Sequence, residues 1–548
     1  MKIRAAMLLG LWLWVLAGPG LAQPEVPQDL IARVPEAPTG RLAHVLQRGT
    51  LIVGVKDDYP PWGMRDVDGK LIGLEADLAR DLADRLGVGL ELQAVSASNR
   101  ISRVNQGIVD VVIATAGDTA ERRRQVDVIL PNYYSSGVVL YGRRDGGVEG
   151  WDSLRGEKVC LNRGAFYNRI LEEAYGIDGQ YFTANRDSKL ALMQGRCAGW
   201  AFDDTALAQL IRAQGGAGDY EVVTDAILVS PWAVLVAKGE GQGDLGRFLS
   251  DMIGEWHAGG RILTLQDQWG IPRSAYVEAA HQLWRTEEEG RTICARDPAT
   301  GAHPPACLGD NPAEGAPTPD PPGWVVGLYE ATGVDLRVVA SPYNRERLAH
   351  ALWLTFSLSL IAIAGSLGVG ILLSVLQTAL ERLGWVGRLL ALPQRLLITV
   401  ARMTPPILQL YIVFFGLGGI LGNAGGFAPG SFAIAAVILS LYAGATNTII
   451  LSHEMSAAEA RGLSVLARLP EAISRGFDGL VATCVNIVKA AGMASAIAVS
   501  ELVSTVDLLV SEGADTTTMM NGLLVFYFLF VLGILWVFRA LRRLLVKA

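Results

Sequence analysis

Apolar residues fall along this chain in two regimes. Up to about residue 345, short β-branched runs alternate with stretches whose apolar positions recur every third or fourth residue. From about 348 onward Leu, Ile, Val, Ala and Gly dominate in long blocks. In the first regime "GTLIVGV" (49–55) and "VDVVIAT" (109–115) read as strands. "GLEADLARDLADRLGV" (73–88) reads as a helix with its apolar face at 3.6 spacing. Such alternation over 41–285 predicts an α/β fold. In the second regime five apolar stretches, roughly 349–377, 394–421, 431–452, 479–500 and 520–538, each approach the ~20 residues a spanning helix needs. The shift near 346 is the main boundary, and 346–548 is read as an all-α, five-helix transmembrane domain.

Charges between these blocks set an orientation. The 378–395 connection holds Arg382, Arg388 and Arg395, and the 453–477 connection holds Arg461, Arg468 and Arg475. The tail adds Arg539, Arg542, Arg543 and Lys547. "GNAGGFAPG" (422–430) is uncharged, and 501–519 carries Glu501, Asp507, Glu512 and Asp515. Basic connections stay in the cytoplasm, which puts residues 41–285 outside and the C-terminus inside. The start, "MKIRAAMLLGLWLWVLAGPGLAQ", has Lys2 and Arg4, an apolar core from Leu8 to Ala17, and small residues before Gln23. It reads as a secretory signal peptide over 1–22, or as an uncleaved anchor. Both readings export the α/β region.

The whole chain of 548 residues has a net charge of −7, and no basic block points to nucleic acid. Of its five cysteines, Cys484 lies in an apolar block. The other four allow three pairings. Sequence proximity favours Cys294 with Cys307, leaving Cys160 with Cys197. No CxxC or His cluster supports a metal, and no cofactor is implied. Residues 286–345, with "RDPATGAHPPACLGDNPAEGAPTPDPPG", are too rich in Pro, Gly and acid to form a core. They read as a linker in which a Cys294–Cys307 loop provides some ordered cover.

Three stretches of the apolar half carry a family resemblance. "RMTPPILQLYIVFFGL" resembles the R-x-T-P-x-x-x-Q-L opening of the second helix in polar amino-acid permease subunits of ABC importers. "LAHALWLTFSLSLIAIAGSLGVGILLSVLQ" is similar to that family's first helix, and "LPEAISRGFDGLVATCVNIVKAAGMASAIAVSEL" (469–502) to its LPQA … V-x-E-L segment. The arginine, Arg402, then lies at the cytoplasmic end, and Pro405 and Pro406 sit in or near a first helical turn, where a missing N–H costs little. Arg402, Gln409 and Lys489 are candidates for the transport pathway; helix packing or snorkelling is the other reading of Gln409 and Lys489. The family contacts its ATPase through an E-A-A-x-x-x-G loop. "SAAEARGLSVLARLPEA" supplies Glu459, Ala460 and Gly462 there, but the glycine spacing is broken and the loop is about five residues short.

The exported half carries a second resemblance. "GVKDDYPPWGMRDVDGKLIGLEADLARDLADRLG", "NRISRVNQGIVDVVIATAGDTAERRRQVDVILPNYY" and "QGRCAGWAFDDTALA" are similar, in order, to three motifs of the polar amino-acid-binding proteins, family 3 of the bacterial solute-binding proteins. The resemblance implies the α/β two-lobed periplasmic-binding-protein fold closing over one amino acid. By the same resemblance Arg122 grips the ligand α-carboxylate through a bidentate fork. Thr115, Gly117 and Thr119 line the same turn, with Gly117 where many members have serine. Asp204, or as second choice Asp203, takes the α-ammonium, and Tyr59 and Trp62 pack on the ligand. Lys56, Arg100 and Arg163 point toward the cleft and favour an acidic ligand, unless they face water as such residues usually do.

Together the two resemblances imply a fused receptor and permease of an amino-acid importer in a bacterial inner membrane. The binding domain is then periplasmic and the permease domains form a homodimer or heterodimer in lipid. The chain has no G-x-x-x-x-G-K-[ST] loop, so the ABC ATPase is expected as a separate subunit. The alternative is an amino-acid-sensing or ligand-gated membrane receptor without ATP-driven transport, favoured by the shortened coupling loop. No nucleophile–base or metal constellation points to an enzyme.

Overall fold

The computed structural model describes residues 26–213, 218–309, 321–423 and 429–547. The candidate signal peptide lies outside them, as does most of the uncharged 422–430 connection.

Two α/β lobes share one sheet. Its order is Gly89–Ala94, Thr50–Val55, Val111–Gly117, Ile227–Val236, Asp127–Arg143, Gly199–Asp203, Lys158–Asn162 and Asp178–Phe182. The first three strands run parallel, as do the last three. Between them the long antiparallel strands Ile227–Val236 and Asp127–Arg143 pass from one lobe to the other. Strands 49–55 and 109–115 were legible within a residue or two. The expected helix spans Leu74–Leu86 and ends on Gly87 in the left-handed region. Its Leu74, Leu78 and Leu82 are fully buried against the sheet, and each such side chain contributes about 1.5–3 kcal/mol. Sites in open parallel sheets form beyond the carboxyl ends of the strands. Lys56, Gly117, Arg163 and Asp203 all stand at such ends.

Both disulfides pair as proximity favoured, Cys160 with Cys197 and Cys294 with Cys307. The expectation for 286–345 changes in its first third. A hairpin (Glu287–Glu288 with Arg291–Thr292) and the short helix Pro305–Leu308 are closed by the second disulfide. Cys294, Ala295 and Cys307 pack with Leu30, Ala258 and Trp284. This segment does form a small core, because a covalent closure supplies what its composition lacks.

Among the described residues, the apolar half has four helices long and apolar enough to cross a membrane: Pro342–Glu381, Ser431–Ala460, Leu466–Ile497 and Thr516–Arg543. A fifth exists if Leu392–Met403 and Pro406–Ile420, bent by 113°, form one span. The bend falls at the proline pair, with Pro406 at the first position of the new helix. Gln409 Nε2 donates to the carbonyls of Ala401 (2.7 Å) and Thr404 (2.8 Å). It satisfies groups that the break leaves without amide donors. Farther along, Ile412–Leu417 winds as a π-helix.

The Cys160 lobe rests on this helical half. Gln194 Nε2 donates to Phe415 O at 2.7 Å, and Arg196 donates to Phe414 O and stacks 3.6 Å from the Phe414 ring. Both carbonyls belong to the π-helix, whose wider turn offers acceptors to partners outside the helix.

Candidate functional site

A cavity opens between the two lobes, and Lys56, Tyr59, Arg100, Thr115, Gly117 and Arg122 line it from one lobe. Asn162, Phe166, Tyr167, Phe202 and Asp203 line it from the other, with Trp232 at the crossing strand. The Arg122 side chain starts from a short helix (Ala120–Gln125) capped by Thr119, whose hydroxyl accepts the Arg122 amide at 3.2 Å. Its guanidinium donates to Gly117 O (2.7 Å) and Gly164 O (2.8 Å). Among the described residues no carboxylate forms an ion pair with it. Burial, and then the charge of Arg100, lower its pKa to about 9, so it remains cationic at neutral pH. A buried guanidinium held only by carbonyl oxygens retains most of its demand for an anion.

Asp203 faces it. Its carboxylate accepts from the Tyr59 hydroxyl. Burial, with the Asp204 charge adding, raises its pKa to about 6. Tyr59 itself stays protonated, since burial and Asp203 push its phenol far up. Deeper in, Glu75 reaches from the first turn of its helix to the Thr115 amide (2.6 Å) and the Tyr133 hydroxyl. Burial raises it to about 7. Thr115 sits at φ 46°, a left-handed value unusual for a β-branched residue. The Glu75 bond to its amide helps hold that turn, and Arg100 donates to its carbonyl at 3.0 Å.

Several expected residues stand elsewhere. Asp204 opens the helix Asp204–Ala213 and accepts from Ser136 Oγ at 2.7 Å. Adjacent residues at a strand end point to opposite sides, so Asp203 takes the cavity position. Trp62 is fully buried behind it, ring centroid 5.7 Å from Trp232; Trp232 forms the wall and Trp62 backs it. Thr119 caps the helix on the far side of Arg122. Arg163 turns away altogether, donating to Ser504 Oγ (2.7 Å) and Ser495 O (3.1 Å) of the helical half. The residue before it, Asn162, lines the cavity, and neighbours at a strand end point to opposite sides. Gly164, at φ +77°, lets the next turn close onto the other lobe, where a Cβ would lie 2.5 Å from the Ala97 backbone. Lys56 lines the cavity but is paired with Asp58 at 2.9 Å. Gly117 has a packing reason: a Cβ there would stand 2.7 Å from Ser230 Oγ. A neighbouring hydroxyl occupies the space where the family's serine would project.

Glu75, Phe166, Phe202 and Trp232 were not singled out from the sequence. Glu75 carried one signal, an acid on the otherwise apolar inner face of a helix. In the helical half, Arg402 and Lys489 are exposed on the chain's own surface, while Gln409 staples the bend. Ala460 ends its helix, Gly462 lies in the four-residue turn after it, and Glu459 pairs with Arg468 at 2.7 Å.

An ammonium-sized acceptor opposite an unpaired guanidinium, in a cleft between two hinged lobes, defines the class of two-lobed solute-binding proteins. This chain belongs to the bacterial extracellular solute-binding proteins, family 3, whose sequence model matches residues 51–272. It is 29% identical over 236 residues to the L-cystine-binding protein TcyJ of Escherichia coli (strain K12), covering 42% of this chain and 87% of the relative. It is 33% identical over 209 residues to the glutamine-binding protein of Geobacillus stearothermophilus, covering 37% and 78%. The L-glutamate/L-aspartate-binding protein of Pseudomonas aeruginosa is 22% identical over 244 residues, covering 42% and 80%.

Proposed function

We propose that this chain is the fused receptor and permease of an amino-acid importer: residues 41–285 capture a free α-amino acid, and 346–548 pass it across the membrane with a separate ATPase. The observation that carries the reading is the placement of Arg122 and Asp203 on opposite walls of one cavity between the lobes. Arg122 takes the α-carboxylate, Asp203 the α-ammonium, and Tyr59, Phe202 and Trp232 contact the side chain. That the relatives are named for binding cystine, glutamine and glutamate or aspartate supports an amino acid. The acidic preference expected from three cations loses one of them, Arg163, and Lys56 is neutralised by Asp58; Arg100 alone argues for it. The permease reading rests on the R-x-T-P-x-x-x-Q-L and LPQA resemblances, with the bend at Pro405–Pro406 in support.

Arg122→Ala is expected to abolish amino-acid binding by the purified full chain in calorimetry, a loss on the order of 2–5 kcal/mol. Wild-type affinity in that variant would refute the assignment. A second reading, a sensor without ATP-driven transport, is favoured by one feature: only the turn 461–464 separates the helices Ser431–Ala460 and Val465–Ala491, where the family places a coupling helix. Reconstituted vesicles that bind amino acid but fail to accumulate it with ATP and the partner ATPase would favour the sensor.

A further inference from the structure

Residues 323–336 lead from the Pro-rich segment toward the first long apolar helix. The helix Gly323–Thr332 has one charged residue, Glu330, and buries only Val325. It exposes Val326, Tyr329 and, at 67%, Trp324. Apolar groups gathered on one exposed element mark a surface that meets something other than water. The turn after it is pinned to the last long helix, where the Asp335 amide donates to Thr518 Oγ1 at 3.0 Å. Arg337 pairs with Asp335 at 2.6 Å and lies 4.8 Å from the Tyr329 ring.

Between that turn and the helices runs a groove of about 630 Å³, a ligand-sized volume. No charged residue lines it. Val334 and Leu336 form one wall, Leu348 and Leu352 another, and Leu523 and Phe526 of the last helix a third. Polarity is graded along that last helix. Thr517 and Asn521, one turn apart on one face, are exposed near its start, while Leu523, Val525 and Phe526 line the groove farther in. The start of this helix lies on the receptor side. Glu512, just before it, pairs with Arg347 at 3.0 Å, and Arg347 stands 5.8 Å from the Tyr181 ring of the receptor half. The helix, Thr516–Arg543, has a mean hydropathy of 2.3 over an 18-residue window of which only 6% is buried. The groove is therefore continuous with a helix surface suited to hydrocarbon.

We infer that this groove binds one phospholipid from the leaflet that faces the receptor half. One acyl chain lies against Leu352, Leu523 and Phe526, and the glycerol ester carbonyls accept from the Thr517 hydroxyl and the Asn521 amide. The graded lining selects this occupant. A membrane helix of a second copy offers acceptors only through side chains, since its backbone carbonyls are bonded within itself; a phospholipid carries two ester carbonyls directly above its chains. Tryptophan and tyrosine collect at headgroup depth, which sets Trp324 and Tyr329 at the membrane surface beside the bound lipid. The inference rests on the reading of 346–548 as a membrane domain.

The test uses the full chain reconstituted in vesicles of phosphatidylethanolamine and phosphatidylglycerol and then extracted in mild detergent. Native mass spectrometry is expected to find one phospholipid retained per chain. Gly522→Trp adds bulk at a groove position where a Cβ meets nothing within 4 Å. Thr517→Val with Asn521→Leu removes both donors from an exposed face. Each variant should lower the lipid occupancy at least tenfold while eluting from gel filtration as the wild type does. No retained phospholipid in the wild type, or an occupancy that falls less than tenfold in either variant, overturns the lipid site and leaves the membrane reading intact. A lipid-free dimer that Gly522→Trp dissociates assigns the groove to a second copy and overturns the site as well. A chain recovered in soluble form without detergent overturns the membrane reading, and the lipid site with it.

Discussion

Asp203 and Asp204 are neighbours with opposite surroundings. One ends a strand inside the cleft and holds the Tyr59 hydroxyl; the other starts a helix and holds Ser136. Asp203→Asn is therefore expected to remove most amino-acid affinity, and Asp204→Asn to leave it nearly intact, both by calorimetry. The acidity of Asp203 adds a pH signature. Its pKa is raised to about 6 by burial, and only the ionised carboxylate pairs with an ammonium. Affinity is thus full above about pH 7 and declines as pH falls through 6, by about tenfold per unit once below it. A flat affinity between about pH 7 and pH 5 would remove Asp203 from the ammonium contact. At this scale the basic end of the site was legible in the sequence, because Arg122 sits inside a recognisable motif. The acidic end was read one residue too far, with Asp204 preferred to Asp203, since the motif match does not separate two consecutive aspartates and the strand's alternation brings Asp203 to the cavity.

At the scale of elements, the Cys160–Cys197 bond ties the strands Lys158–Asn162 and Gly199–Asp203, which are adjacent in the sheet. It encloses a loop with a sequence separation of 37, for which chain entropy suggests about 4 kcal/mol of stabilisation, with measured losses commonly 2–5 kcal/mol. The double variant Cys160→Ser with Cys197→Ser should lower the thermal unfolding midpoint of the receptor half, followed by tryptophan fluorescence. Mass mapping of the unreduced chain should recover the linked peptide; free thiols at both positions would count against the pairing. The elements with strong period, such as Leu74–Leu86, were readable because one face must meet the sheet. The 286–308 segment was not, because its small core depends on a covalent closure and on Trp284 and Leu30 from outside the segment.

For the whole molecule, the importer reading proposed above puts the arginine-bearing 453–477 stretch on the cytoplasmic side and makes it the candidate contact for an ATPase. Glu459 is half exposed there beside Arg468. In a complex with the partner ATPase, amino acid should stimulate ATP hydrolysis, and Glu459→Lys should lower that stimulation while amino-acid binding by the same preparation is unchanged. Stimulation that survives Glu459→Lys would move the contact elsewhere. The same scale holds the seat of the receptor on the helical half, through Arg163, Gln194 and Arg196. None of these has a signature in the sequence that tells a docking residue from a solvated one.

The sequence by itself determined what depends on period, composition and short motif. Those are the α/β alternation, the apolar blocks, the two favoured disulfide pairings and the arginine of the cleft, all set by local patterning or by nearness along the chain. Tertiary structure decided what depends on direction. Alternation at the end of the strand Lys158–Asn162 turns Asn162 into the cleft and Arg163 out of it, onto the helical half. The end of one strand aims Asp203 inward, Ser230 fills the space beside Gly117, and Gln409 is spent on carbonyls freed at a bend. A residue type announces what chemistry a side chain carries. Where that chemistry is delivered depends on backbone geometry and on partners hundreds of residues away, which a linear pattern does not encode.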